Sequence, residues 1–290
     1  MRYEESAPPP ELRDLVHRIW LLRDAPTAHP AAFQRAMPDG RAELIFNLAD
    51  AFESRDSGGV RRQPRALVVG PTRRAMEIRP TGAVDLVGVR FRPEALSAWL
   101  RVAGGELLGL ACAASDLPLP LEPTLAEQLA ALPDSAGRLS VLCRHLAGAA
   151  GRPAVDRRVS AAVDLALADG SPRPAAIASA VGMSHRQLSR VFRERLGFGP
   201  KSLIRLGRFQ RALRSLECPA RRSVAAVAVR TGYYDQAHLT RDFRQFAGIG
   251  PGSYLREARE IARNFIADAG GGELVGAHGE FFQAPRRPNR

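Results

Sequence analysis

Cysteines, histidine clusters, long apolar runs and, over one stretch, acidic residues are scarce in this 290-residue chain. Each shortage closes off a class of protein. Cys112, Cys143 and Cys218 are odd in number, far apart and in no metal-ligand spacing. They argue against a disulfide framework and for reduced thiols. No run approaches the roughly 18–20 apolar residues needed to span a bilayer, so no membrane partner is expected. Met1 to Pro10 lacks the apolar stretch of a secretion signal, and a cytoplasmic location is expected. His17, His29 and His145 are widely separated, without a neighbouring ligand cluster. There is no Gly-x-Ser-x-Gly and no phosphate-cradling glycine loop. The expectation is a protein with no metal, no cofactor and no catalytic residues, hence not an enzyme. Trp20 and Trp99 read as core.

The shortage of acids is local. Residues 1–150 carry 18 arginines against 18 acids, whereas residues 151–267 carry 20 arginines and one lysine against 9 acids. Residues 268–290 are again balanced, so the whole formal charge of +12 falls on the middle segment. A basic surface of this density attracts a polyanion, and double-stranded DNA is the expected partner. Length and an ordinary apolar share of 45% suggest two domains with separate cores. The expected division is 1–150, 151–267 and an unstructured Gly- then Pro/Arg-rich tail over 268–290.

The first domain reads as strand-rich with flanking helices. Strands are expected over 41–48, after the Pro38-Asp39-Gly40 turn signal, over 66–69 and over 83–91. Ser54 to Gln63 reads as an exposed loop. Helical spacing then places Leu96, Trp99 and Leu100 on one face, Leu125, Leu129 and Leu132 on a second helix, and Leu139, Leu142, Cys143 and Leu146 on a third. Gly148 to Pro153 reads as a linker.

The basic segment contains one unit written twice. Leu188, Arg190, Phe192 and Arg193 recur as Leu239, Arg241, Phe243 and Arg244, at an offset of 51 residues. The same offset carries Gly197, Gly199, Pro200 and Ser202 onto Gly248, Gly250, Pro251 and Ser253. Each copy reads as helix, tight turn, helix. The first opens at Pro174, turns at Gly182 and restarts at Ser184, with Gln187 completing a capping box. The second runs from Val224 to Arg230, turns at Gly232 and restarts at Asp235. Leu188, Val191, Phe192 and Leu196 form one buried face, and Leu239, Phe243 and Phe246 the other. Before the repeat, Arg157 to Ala168 reads as a helix. Between the copies, Pro200 to Glu217 reads as a linker helix of 18 residues. Its length of roughly 27 Å is comparable with the ~34 Å between successive major-groove faces. Gly207 lowers its propensity and suggests a bend.

A major groove admits one helix, and residues near the helix start reach the base edges. Arginine pairs with guanine and glutamine with adenine through two hydrogen bonds each. Arg186, Arg190, Gln236 and Arg241 are therefore the leading base readers, with Gln187 and His238 as further base-contact candidates. Ser184, Arg193, Thr240 and Arg244 are the candidates for phosphate contacts.

Residues 158–257 resemble the DNA-binding domain of the AraC/XylS family of bacterial transcription regulators. The resemblance is carried by the stretch from Val227 to Phe246 and the closing Gly250-Pro-Gly-Ser-Tyr254. It implies seven helices with two helix–turn–helix units that read successive major grooves. The family's base-contacting positions fall on Arg186, Ser189, Arg190, Gln236, Ala237 and Arg241. The first domain resembles sensor domains found ahead of such units, through Pro38 to Leu48 and Val87 to Pro93. That resemblance implies a barrel-like domain that takes a small-molecule effector or mediates homodimerisation, and RNA polymerase as partner if the protein is an activator. The expected fold class is α+β: a barrel-like β-rich domain, then an all-α domain of two helix–turn–helix units joined by a linker helix. Two other functions compete with a sequence-specific regulator. A structural DNA-coating protein would bind without base preference. An alkyl-transfer DNA-repair protein would need an activated cysteine.

Overall fold

The computed structural model describes residues 2–26, 32–149, 156–170, 172–217 and 223–257. His29, Cys218, the core of the 148–153 linker and the tail from 268 lie outside them. The strands are β1 (Arg2–Ser6), β2 (Val16–Asp24), β3 (Gln34–Ala36), β4 (Glu43–Asn47), β5 (Phe52–Asp56), β6 (Gly59–Arg62), β7 (Ala66–Val69), β8 (Met76–Pro80), β9 (Val84–Phe91) and β10 (Ala111–Ala113). The helices are α1 (Ala95–Leu100), α2 (Gly104–Leu107), α3 (Leu125–Ala130), α4 (Ser135–Gly148), α5 (Arg157–Leu167), α6 (Pro174–Ala180), α7 (His185–Leu196), α8 (Pro200–Glu217), α9 (Val224–Arg230) and α10 (Gln236–Ala247). Residues 251–257 are helical as well.

The fold class is α+β, but the barrel is corrected. The strands form a six-stranded sheet in the order β1-β2-β9-β4-β7-β10 and a separate four-stranded sheet, β3-β8-β5-β6. Neither closes on itself. The alternation of side chains explains how the larger sheet is covered on both faces. Ile19, Leu21, Leu44, Phe46, Val87, Val89 and Phe91 join the core made with α1, α3 and α4. Trp20, Leu22, Ile45 and Leu86 point the other way, onto Phe52 and Ile78 of the smaller sheet. Strands sandwiched in this way read as continuous apolar runs, which hides the period of two.

The expected loop over Ser54 to Gln63 is also corrected. It contains the β5–β6 hairpin, with Glu53 paired to Arg62 and Asp56 to Gly59. Its strands are polar and largely exposed, so apolar pattern gives no cue, and the ladder hydrogen bonds supply the order instead. Trp20 and Trp99 are both buried.

The helix bounds of the second half follow the sequence closely. α8 is shared between two cores. Leu203 and Ile204 pack with α5, α6 and α7, while Leu206, Phe209, Ala212, Leu213 and Leu216 pack with α9 and α10. Each such fully buried Leu or Phe contributes about 1.5–3 kcal/mol. Gly207 does not interrupt the helix. A Cβ there would stand 3.3 Å from the Leu167 side chain and 3.4 Å from its Cα, so the missing side chain lets α5 cross closely.

The two halves touch at specific points. Gly40, in the Pro38-Asp39-Gly40 turn, packs on Leu203 and Leu206 of α8. Gln210 Nε2 donates to the Pro38 carbonyl at 2.6 Å. Ser97 Oγ donates to the Arg195 carbonyl at 2.7 Å, and the Ala75 amide to the Phe246 carbonyl at 2.7 Å. Arg92 pairs with Asp164 at 2.9 Å, and Arg35 with Glu257.

Candidate nucleic-acid interface

Two helix–turn–helix units are formed by α6–α7 and α9–α10. Gly182 (φ +66°) and Gly232 (φ +81°) occupy the turns in left-handed conformations that side chains disfavour. The second helix of each unit then starts on a side-chain cap. Ser184 Oγ accepts from the Gln187 amide at 3.1 Å, while Gln187 Oε1 accepts from the Ser184 amide at 2.8 Å. Asp235 Oδ1 accepts from the His238 amide at 2.6 Å. Both helices end at left-handed glycines, Gly197 and Gly248. Leu188, Phe192 and Leu196 anchor α7, as Leu239, Phe243 and Phe246 anchor α10. Val191, expected on the buried face, is only half-buried.

The candidate contact residues separate by environment. Arg186, Arg190, Arg193, Gln236, Ala237, Arg241 and Arg244 are exposed along the two helices. Arg190 forms an i,i+4 pair with Glu194 at 2.9 Å, with both side chains more than half exposed, so the pair restrains it weakly. Arg241 makes no ion pair among the described residues. Gln187 is turned back into the capping box, which uses its carbonyl oxygen and aims the side chain at its own helix start. Ser189 is half-buried. The His238 ring stands edge-on to Tyr233, centroids 5.0 Å apart. Thr240 Oγ1 donates to the Gln236 carbonyl at 2.8 Å, a bond within its own helix. Ser184 is exposed, with its hydroxyl engaged as the cap.

Sequence reasoning missed two features beside these helices. Tyr234, 90% exposed, immediately precedes the Asp235 cap. Arg208, Arg211 and Arg214 line a cleft with Arg230, bounded by α8, the second unit and Asp169-Gly170 after α5. Their spacing of three on α8 was the available signal.

Burial raises the Cys112 and Cys143 thiols above their ordinary range, aided by Asp116 and Glu11 respectively, the reverse of what an activated nucleophile requires. No group of three or more potential metal ligands gathers among the described residues. No helix among them is long and apolar enough to cross a membrane.

Residues 177–257 match a helix-turn-helix domain family, and residues 4–112 match a domain of unknown function (DUF6597). No curated protein matches the chain. Among solved structures, ToxT from Vibrio cholerae is 10% identical, covering 88% of this chain and 98% of its own, with a TM-score of 0.46. A transcriptional regulator with an AraC-type DNA-binding domain from Chromobacterium violaceum is 26% identical over 35% of this chain and 91% of its own, with a TM-score of 0.33. A DNA-binding transcriptional dual regulator from Escherichia coli K-12 is 28% identical over 35% of this chain and 94% of its own, with a TM-score of 0.30. The repeated units, their caps and their turns, together with the family match, identify residues 177–257 as an AraC-type helix-turn-helix domain, preceded in this chain by a domain of the DUF6597 family.

Proposed function

We propose that the chain is a sequence-specific DNA-binding transcription regulator whose α7 and α10 enter successive major grooves of duplex DNA. The observation that carries this reading is the duplicated, capped helix start with exposed arginine and glutamine. The N-terminal half meanwhile holds the opposite ends of both helices, at the Arg195 and Phe246 carbonyls. In this reading Arg186, Arg190, Gln236 and Arg241 read base edges. Ser189 and Ala237 make lesser base contacts. Arg193, Arg244 and Ser184 face the phosphates, whereas the Thr240 hydroxyl is spent on the Gln236 carbonyl of its own helix. Gln187 and His238 act mainly as the cap and packing partners described above.

Residues 1–150 form the regulatory domain and 151–267 the DNA-binding domain. The resemblance to sensor domains puts a small-molecule effector on the first domain, but the space between its two sheets, lined by Trp20, Ile45, Asn47, Phe52, Gln63 and Met76, is only about 20 Å³, room for a single water. Asn47 is buried there, and its Oδ1 has no hydrogen-bond partner among the described residues. A single water donor would satisfy that oxygen.

Replacing Arg190 or Arg241 with Ala should weaken binding to a selected duplex by about 1–3 kcal/mol and relax preference at one base position each. Competition against random duplex measures this. Equal weakening on every sequence would remove base reading from both residues and favour a structural DNA-coating protein.

A further inference from the structure

The cleft between α8, the second unit and Asp169-Gly170 has no part in base reading, and its chemistry is distinctive. It is open, about 680 Å³, and lined by Arg208, Arg211 and Arg214 from α8 and Arg230 from α9. Asp169 is the one carboxylate in its lining. Arg211 approaches that carboxylate at 3.5 Å and also donates to the carbonyls of Leu167 and Ala168. Arg230 bonds Ser215. Arg208 lies over the Tyr233 ring, 5.4 Å from its centroid, and makes no ion pair among the described residues. Four guanidiniums against one carboxylate repel one another. Burial first, and then the Arg208 and Arg214 charges, pull Arg211 below its ordinary value in spite of Asp169.

Orientation adds a second observation. Leu206 and Gln210 face the N-terminal half, where they meet Gly40 and the Pro38 carbonyl. At about 100° per residue, Arg208 is turned roughly 160° from both. Arg211 is turned about 140° and 100° from them and Arg214 only about 80° and 40°, so the Arg208 end of the cleft faces away from the N-terminal half and the Arg214 end lies to its side. The N-terminal half holds the far ends of α7 and α10, at the Arg195 and Phe246 carbonyls, and leaves their starts clear of it. Through Gly232 in its wall, the cleft adjoins the start of α10.

We propose that this cleft is a binding site for the phosphodiester backbone of duplex DNA, where a strand passes from the groove entered by α7 to that entered by α10. The proposal rests on the function proposed above. The shape favours a strand over a small anion, since Arg208 to Arg214 rises about 9 Å along α8 and one DNA strand carries a charge about every 3.4 Å of helix axis. Val229, 70% exposed on the rim, offers apolar contact to a sugar.

The test uses the full chain, a duplex selected from a random pool, and the unselected pool. Affinity is measured across a salt series for Arg208→Gln, for Arg208→Gln with Arg214→Gln, and for Arg208→Lys, each checked for an unchanged melting transition. The slope of log affinity against log salt should fall by about 0.9 for each phosphate that is no longer neutralised. Affinity should drop by the same factor on both DNA samples, with base preference kept, and Arg208→Lys should retain most of the slope. An unchanged slope overturns the proposal. So does a slope change confined to the selected duplex. Inorganic phosphate or pyrophosphate that raises the melting temperature of the parent protein but not of Arg208→Gln, with the salt slope unchanged, would assign the cleft to a free anion instead. Arg190→Ala runs in parallel. If it loses base preference while the cleft variants change nothing, the cleft proposal fails alone; if it too leaves preference intact, base reading fails with it.

Discussion

The two helix–turn–helix units share their turns, their side-chain caps and two exposed arginine positions, Arg190/Arg241 and Arg193/Arg244, yet differ in much of what supports them. Position 191 in the first is Val; its counterpart at the 51-residue offset is Asp242. The first unit rests on an apolar core of Ile177, Leu188, Phe192, Phe198 and Leu203. The second buries Asp242 beside Arg205, which bonds it at 2.6 Å and also reaches Gln245. Burial, and next the Asp242 carboxylate, hold the Tyr233 phenol well above its ordinary value. The N-terminal half grips the units differently too. It meets the first by close backbone packing, with Gly104 so near Arg195 and Gly197 that a Cβ would overlap them. It enters the second with a side chain, Met37, within the core of Leu206, Phe209 and Phe243. The two exposed arginine positions are duplicated, whereas the base-reading neighbours and the supports of the units have diverged.

The largest effects are expected where the units are anchored alike. Phe192→Ala and Phe243→Ala remove equivalent, fully buried rings and should each cost about 3–5 kcal/mol in chemical denaturation. A much smaller loss at either would mean that its unit is not packed as described. Next in size, Asp242→Val gives the second unit the residue of the first and leaves Arg205 without its carboxylate. A loss of about 2 kcal/mol is expected, moderated because Arg205 is 39% exposed and keeps Gln245. No loss would show that the polar support is dispensable. Removing the caps, Ser184→Ala and Asp235→Ala, should cost about 1 kcal/mol each in thermal unfolding. Gln187→Ala should add little to Ser184→Ala, since both break the same reciprocal box.

The smallest effect lies in the domain that grips the units. Burial, followed by Arg41 and Arg18, lowers His17 to about 3. A lowered folded value means that the unfolded chain takes up the proton first as pH falls. Stability is therefore full above about 6.5 and declines toward 3, by at most about 1 kcal/mol over the first unit below 6.5. His17→Asn should flatten that limb of a stability–pH curve.

What the sequence discloses tracks how local the cause is. The bounds of α6 to α10 follow from caps, turn glycines and apolar spacing within a few residues, and all were legible. β7 and β9 were legible from short apolar runs ended by Gly70 or Pro93. The β5–β6 hairpin was not, because exposed polar strands are ordered by ladder bonds rather than by burial. The split into two sheets was hidden for another reason: pairings such as Leu44 with Val89 join strands far apart in sequence. The Pro38-Asp39-Gly40 turn was visible as a turn, yet its role as a contact to α8 depends on a partner over 160 residues away. Within the proposed site, exposure of Arg186, Arg190, Gln236 and Arg241 followed from helix periodicity. The engagement of Gln187 in the cap was legible in the capping box, which competes with a role for it in base reading. The packing of His238 on Tyr233 was not legible, since it requires the turn geometry.

Guanine methylation interference on a selected duplex tests the central claim most directly. The expected pattern is two clusters of sensitive guanines on one face of the DNA, about 10 base pairs apart, with Arg190→Ala erasing one cluster and Arg241→Ala the other. A single cluster, or the same bases affected in both variants, would contradict a pair of units reading successive grooves.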